Sequence, residues 1–166
     1  MRVHFPPEPL SRFVDYLWLH EGPAPEHSSE RVIPTGTTEI VIALASTPLR
    51  VEHAKDTAPS TVGPAMVCGT HAAPFTIDTR AQAKLLGIHF KPGGAFPFFS
   101  VAPTELRDAC VPLDAVWCES PTLLDRLAEA RTAATCFAVL ERALIAHVVR
   151  PLVRHPAVAC ALTWLD

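Results

Sequence analysis

Lys84-Leu85-Leu86-Gly87-Ile88-His89-Phe90-Lys91 is closed at once by Pro92-Gly93-Gly94. A short apolar run with a proline–glycine stop has the length of a strand rather than a helix. Leu86, Ile88 and Phe90 share the more apolar side, and His89 falls on the other, where it either meets solvent or lines an interior. A second run, Thr38-Glu39-Ile40-Val41-Ile42-Ala43-Leu44, is β-branched enough to be a core strand. Before it, Pro34-Thr35-Gly36 has turn chemistry and Arg31-Val32-Ile33 reads as a strand, which predicts a hairpin over 31–44.

Working outward, Pro9-Leu10-Ser11-Arg12-Phe13 reads as one helical turn. Val14, Tyr16, Trp18 and His20 then alternate with Asp15, Leu17 and Leu19, so both faces of this strand are largely apolar. A polar loop rich in Pro and Gly runs from Glu21 to Ser29, and weaker strands are expected at Leu49–Glu52, Ala65–Cys68 and Phe75–Asp78. The 17 prolines, concentrated before about residue 121, cut this region into short segments. Such a series of short strands suggests a sandwich or barrel. Ala95-Phe96-Pro97-Phe98-Phe99 is a compact apolar cap for one end of it.

The texture changes after Pro112. Ser120 as N-cap with Pro121 behind it opens a helix to about Arg131, with Leu123, Leu124 and Leu127 on one side. Phe137, Leu140, Leu144, Ile145 and Val148 form a stripe of helical period that would pack on the strands or pair across a symmetric dimer. A third helical pattern starts at His155-Pro156 and reaches Leu165 and Asp166 without a stop signal, the expected texture of a chain cut within an element.

The totals exclude several classes. At 166 residues and 49% hydrophobic composition the chain has enough apolar surface for one packed domain without disulfide staples. Its 14 Lys and Arg against 17 Asp and Glu give a net charge of -3, a poor basis for gripping phosphate backbones directly. No apolar run resembles a signal peptide or a membrane span, so a cytoplasmic protein is expected. Cys68, Cys110, Cys118, Cys136 and Cys160 contain no C-x-x-C pair and are read as reduced, mostly buried thiols.

Three phrases, Pro9-Leu10 to Trp18, Arg31 to Val41 and Gly87 to Ala95, resemble the N-terminal domain of a subgroup of AraC-type transcription regulators. The two helices and the Arg154-His155-Pro156-Ala157 lead-in resemble the junction that precedes the DNA-binding half of such proteins. The resemblance implies an α+β fold: a cupin-like, jelly-roll-like β-barrel over 1–112, a helical dimerisation part over 113–153, and at 154–166 the start of a linker toward an absent helix-turn-helix domain. It further implies an unknown small-molecule effector, a homodimer, no membrane contact, and DNA contacted only through the absent domain.

Chemistry is sparse. Catalytic cupins resemble one another in an H-x-H metal motif, and this chain has none; Glu39 stands where their second motif carries histidine. The eight histidines are scattered, no G-x-S-x-G elbow occurs, and Gly93-Gly94 lacks the lysine of a phosphate loop. No catalytic residue, metal or cofactor is therefore assigned. For a ligand pocket, Trp18 and Phe75 can stack on a planar molecule, with Tyr16 beside them, while Glu39, His71 and His89 can hydrogen-bond it. A free-standing cupin-like binding protein or enzyme is the alternative reading, and a protein-interaction domain with a filled interior is a third.

Overall fold

The computed structural model describes residues 1–23, 25–45, 47–53, 58–154 and 156–164. His155, Leu165 and Asp166, which bound the third predicted helix, lie outside them, as does Ala24 of the predicted loop. The strands are β1 (Arg2–His4), β2 (Val14–Glu21), β3 (Ser29–Val32), β4 (Glu39–Ala43), β5 (Leu49–Glu52), β6 (Ser60–Gly63), β7 (Ala65–Cys68), β8 (Phe75–Asp78), β9 (Lys84–Phe90) and β10 (Cys110–Pro112). They form a six-stranded antiparallel sheet, β1-β2-β9-β4-β7-β10, and a four-stranded antiparallel sheet, β3-β8-β5-β6. The C-terminal helices are α1 (Ser120–Glu129), α2 (Ala133–Ala146) and α3 (Pro156–Leu162), so the fold is α+β.

The predicted hairpin over 31–44 does not form. β3 pairs with β8 in the small sheet, whereas β4 lies between β9 and β7 in the large one. The turn between them is real, with Gly36 at φ +73° in the left-handed region where a side chain is disfavoured. It carries the chain from one sheet to the other instead of folding it back on itself. Three short strands escape the sequence reading: β1 and β10, at three residues, are too short to show alternation, and β6, Ser60-Thr61-Val62-Gly63, lacks the apolar positions that mark the equally short β5, β7 and β8.

Period two now explains why both faces of β2, β4 and β9 are apolar. Leu17, Leu19, Ile40, Ile42, Leu86, Ile88 and Phe90, each at most 2% exposed, point to one side and join Leu123 and Leu127 of α1 and Phe137, Leu140 and Leu144 of α2 in a single core. The opposite side, with Val41, Ala43, Met66, Cys68 and Leu85, meets Leu49, Val51 and Phe75 of the small sheet. The large sheet is thus sandwiched between helices and a second sheet.

The helix ends follow from local chemistry. Ser120 is the first residue of α1 rather than its cap, a one-residue shift from the expected boundary. The Thr132 hydroxyl caps α2 by accepting the Thr135 backbone N–H at 3.1 Å. Of the stripe assigned to packing or pairing, Phe137, Leu140 and Leu144 are buried within the chain, Val148 packs at the core's margin, and Ile145 is 50% exposed. His4 ties β1 to α2 through its Nε2, 2.8 Å from Glu141 Oε1, and its ring stacks on Phe137. After α2, Val149 and Arg150 donate their backbone N–H groups to Pro97 O, and the Arg150 guanidinium donates to the carbonyls of Phe96, Phe99 and Ser100 while lying over the Phe96 ring. The cysteines depart from expectation: Cys68 and Cys136 are buried, Cys110 is intermediate, and Cys118 and Cys160 are exposed. No helix among the described residues is long and apolar enough to cross a membrane.

Candidate functional site

Between the sheets the inward-facing side chains fail to fill the space, leaving a largely apolar cavity of about 160 Å³. A dry cavity of about 150 Å³ in a protein core accommodates a benzene ring, so this one suits a ligand of single-ring size. Trp18 from β2, Val41 from β4, Met66 from β7 and Phe75 from β8 give it aromatic and aliphatic walls. The indole of Trp18 lies across Gly87, its cross-strand partner on β9. A Cβ at Gly87 would come within 2.2 Å of the indole, so the absent side chain makes room for this wall.

The polar groups gather mainly at two places. Near one, Thr37 and Glu39 border the cavity. His89, 9% exposed, holds the Glu39 carboxylate through Nδ1, and its Nε2 lies 3.2 Å from Thr37 Oγ1. Tyr16 stacks on the His89 ring at 4.8 Å. Burial, then the charges of Glu39 and Asp15, raises the Tyr16 phenol above its ordinary pKa, so it is a neutral donor. At the other, the ring of His71 packs 4.4 Å from Phe75 and 5.4 Å from His53, and its Nδ1 donates to Gly69 O at 2.8 Å. Cys68 and Cys110 face each other across β7 and β10 with their sulfurs 3.0 Å apart. The contact with Cys110 and then burial push the Cys68 thiol well above the usual thiol range, which keeps it protonated.

Charged residues also border the cavity. Arg50 of β5 borders it, and its Nε is buried with no hydrogen-bond acceptor among the described residues. Asp78, also at the wall, is held ionised by Arg80, whose guanidinium bonds both of its oxygens and lowers its pKa.

Of the six residues proposed for ligand contact, Trp18, Glu39, His71 and Phe75 line the cavity, and Tyr16 and His89 stand behind Glu39 as its stacked and hydrogen-bonded support. His89 points between the sheets, not to solvent, because the less apolar side of β9 is the inter-sheet side. Sequence reasoning missed Thr37, Arg50 and Met66 at the wall, and the grouping of His53 and Cys110 with His71. Arg50 alternates with Leu49 and Val51 on a short strand, and nothing local marks it as interior.

No curated protein and no solved structure matches this chain. A family model does, over residues 2–112, which is more than half of the sequence and includes β1 to β10. The chain therefore belongs to the family described as a domain of unknown function, DUF6597.

Proposed function

We propose that this chain is the effector-sensing and dimerising part of an AraC-type transcription regulator, built on a cupin-like sandwich and acting on DNA through a helix-turn-helix domain outside these residues. The observation that carries the reading is the inter-sheet cavity, apolar along its walls and polar at separate points, the usual form of a small-molecule site. Its size favours a single-ring ligand. The Arg50 Nε, buried without an acceptor among the described residues, favours a ligand bearing an acidic group.

Ligand occupancy would act by population shift: a molecule that binds one spacing of the two sheets better than another biases the chain toward it. The exposed apolar side chains Ile145, Val149 and Val153, on and just after α2, are the surface offered to a second copy.

Screening single-ring carboxylic acids and their neutral analogues by thermal shift tests the sensing claim. A true ligand raises Tm with concentration, quenches or shifts Trp18 fluorescence, and loses most of its effect in Arg50→Met. A protein that responds to no member of the panel, acidic or neutral, removes the sensing claim. The regulator claim is tested on the product of the complete gene, whose affinity for its own promoter should change with the same ligand. A product without a helix-turn-helix region leaves a binding module alone.

A further inference from the structure

We propose that His53 Nε2, His71 Nε2 and Cys110 Sγ form a binding site for a zinc-class divalent ion that bridges the two sheets beside the cavity. The three residues come from different parts of the fold. His53 follows β5 of the small sheet, His71 follows β7 of the large sheet, and Cys110 opens β10 at the large sheet's edge. Their ligating atoms all lie within 4.8 Å of one another.

The separations fit such an ion. His53 Nε2 and His71 Nε2 are 3.2 Å apart, and His71 Nε2 is 3.9 Å from Cys110 Sγ. Tetrahedral zinc with ordinary bond lengths sets two nitrogen ligands about 3.3 Å apart and a nitrogen and a sulfur about 3.6 Å apart. These two separations lie within a few tenths of an ångström of that geometry, and the third, between His53 Nε2 and Cys110 Sγ, is within 4.8 Å, so the His53 and Cys110 side chains close toward each other when the ion binds.

A hydrogen bond that orients one of the ligands is also in place. The Nδ1–H of His71 donates to Gly69 O at 2.8 Å, which fixes the tautomer and leaves Nε2 as a bare lone pair aimed at His53 and Cys110. The donor set, two imidazoles and a thiol, selects zinc and its soft neighbours over magnesium or calcium. Cys68 Sγ touches Cys110 Sγ but does not converge with both histidines, so it neighbours a ligand and is not counted as one. Binding releases the Cys110 thiol proton to solvent, and His53 and His71 ligate as neutral imidazoles.

Without an ion, the same rings are satisfied by stacking and a His53–His71 hydrogen bond, and the experiment distinguishes the two states. The protein, reduced and stripped with a chelator, is titrated with Co2+ and then with Zn2+. The expected result is one Co2+ per chain with thiolate charge-transfer absorption, displaced by Zn2+, and a Tm that rises with metal concentration. His71→Gln and Cys110→Ser should weaken binding by more than about 100-fold, beyond the range typical of losing a residue that only hydrogen-bonds a ligand. His53→Gln, at a half-buried position after a strand, should do the same with the fold intact by circular dichroism. The exposed-thiol variant Cys118→Ser should bind as the parent does. Absence of a thiolate band, or binding unchanged in both His53→Gln and Cys110→Ser, overturns the site. Because the readouts involve no organic ligand, failure here leaves the cavity's sensing role standing, and failure of the ligand panel leaves this site standing.

Discussion

The two faces of the six-stranded sheet are made from the same strands and behave differently. On the helix side, Leu17 and Leu19 of β2, Ile40 and Ile42 of β4, and Leu86, Ile88 and Phe90 of β9 have almost no exposure and interlock with α1 and α2. On the inter-sheet side, the intervening positions hold Tyr16, Trp18, Glu39, Val41, Gly87 and His89, a mixture that leaves a cavity. One face is fully buried against the helices and supplies stability; the other gives up part of that stability for a space that can be occupied. A single strand thus separates a filled face from a hollow one by residue parity.

Mutations can break or sharpen this contrast. Ile88→Ala, on the packed side, should cost about 2–5 kcal/mol in denaturant unfolding, because a closed core cannot collapse around the void. Gly87→Ala, one residue away on the other side, should cost about 1–3 kcal/mol by driving the new methyl against the Trp18 indole. Its tryptophan emission should shift as well, which distinguishes it from a simple loss of packing. Val41→Ile adds one methylene toward the cavity and should stabilise the ligand-free protein by about 0.5–2 kcal/mol, as cavity filling commonly does. A loss of stability there would mean that the inter-sheet side is already full.

The smallest effect concerns pH on the helical side. His147 stacks on Trp117 at 4.1 Å, its side chain is 12% exposed, and its Nε2 is buried without a partner among the described residues. Burial lowers its pKa, against opposing contributions from Glu119 and from a hydrogen bond with the Phe98 backbone; Arg126 lines the same hollow. The fold therefore prefers neutral His147. This stabilisation is complete above the ordinary histidine pKa and is lost as pH falls through that value toward the lower folded one. His147→Phe should flatten the stability profile across that window relative to the parent, measured by urea unfolding.

The sequence made the strong strands legible because each carries enough alternating residues to state its own parity. Val14–Glu21, Glu39–Ala43 and Lys84–Phe90 needed no partner to be recognised. Parity says nothing about which sheet a strand joins, and that is why the hairpin over 31–44 was expected and does not occur. Trp18, Glu39 and Phe75 were legible as aromatic or polar residues on expected strands, and His71 as a hydrogen-bonding side chain between two of them. Arg50 and the His53–His71–Cys110 cluster were not, because their association depends on how β5, β7 and β10 are set side by side, and no local spacing encodes that.

The Arg150 clasp bears on what counts as a self-sufficient unit. The family match ends at residue 112, yet the carbonyls of Phe96, Phe99 and Ser100, inside the matched part, take their donors from a side chain beyond it. A fragment trimmed at the family boundary would strip three acceptors of their guanidinium and uncover a sheet surface that water does not wet. The smallest piece worth expressing runs at least through Arg150.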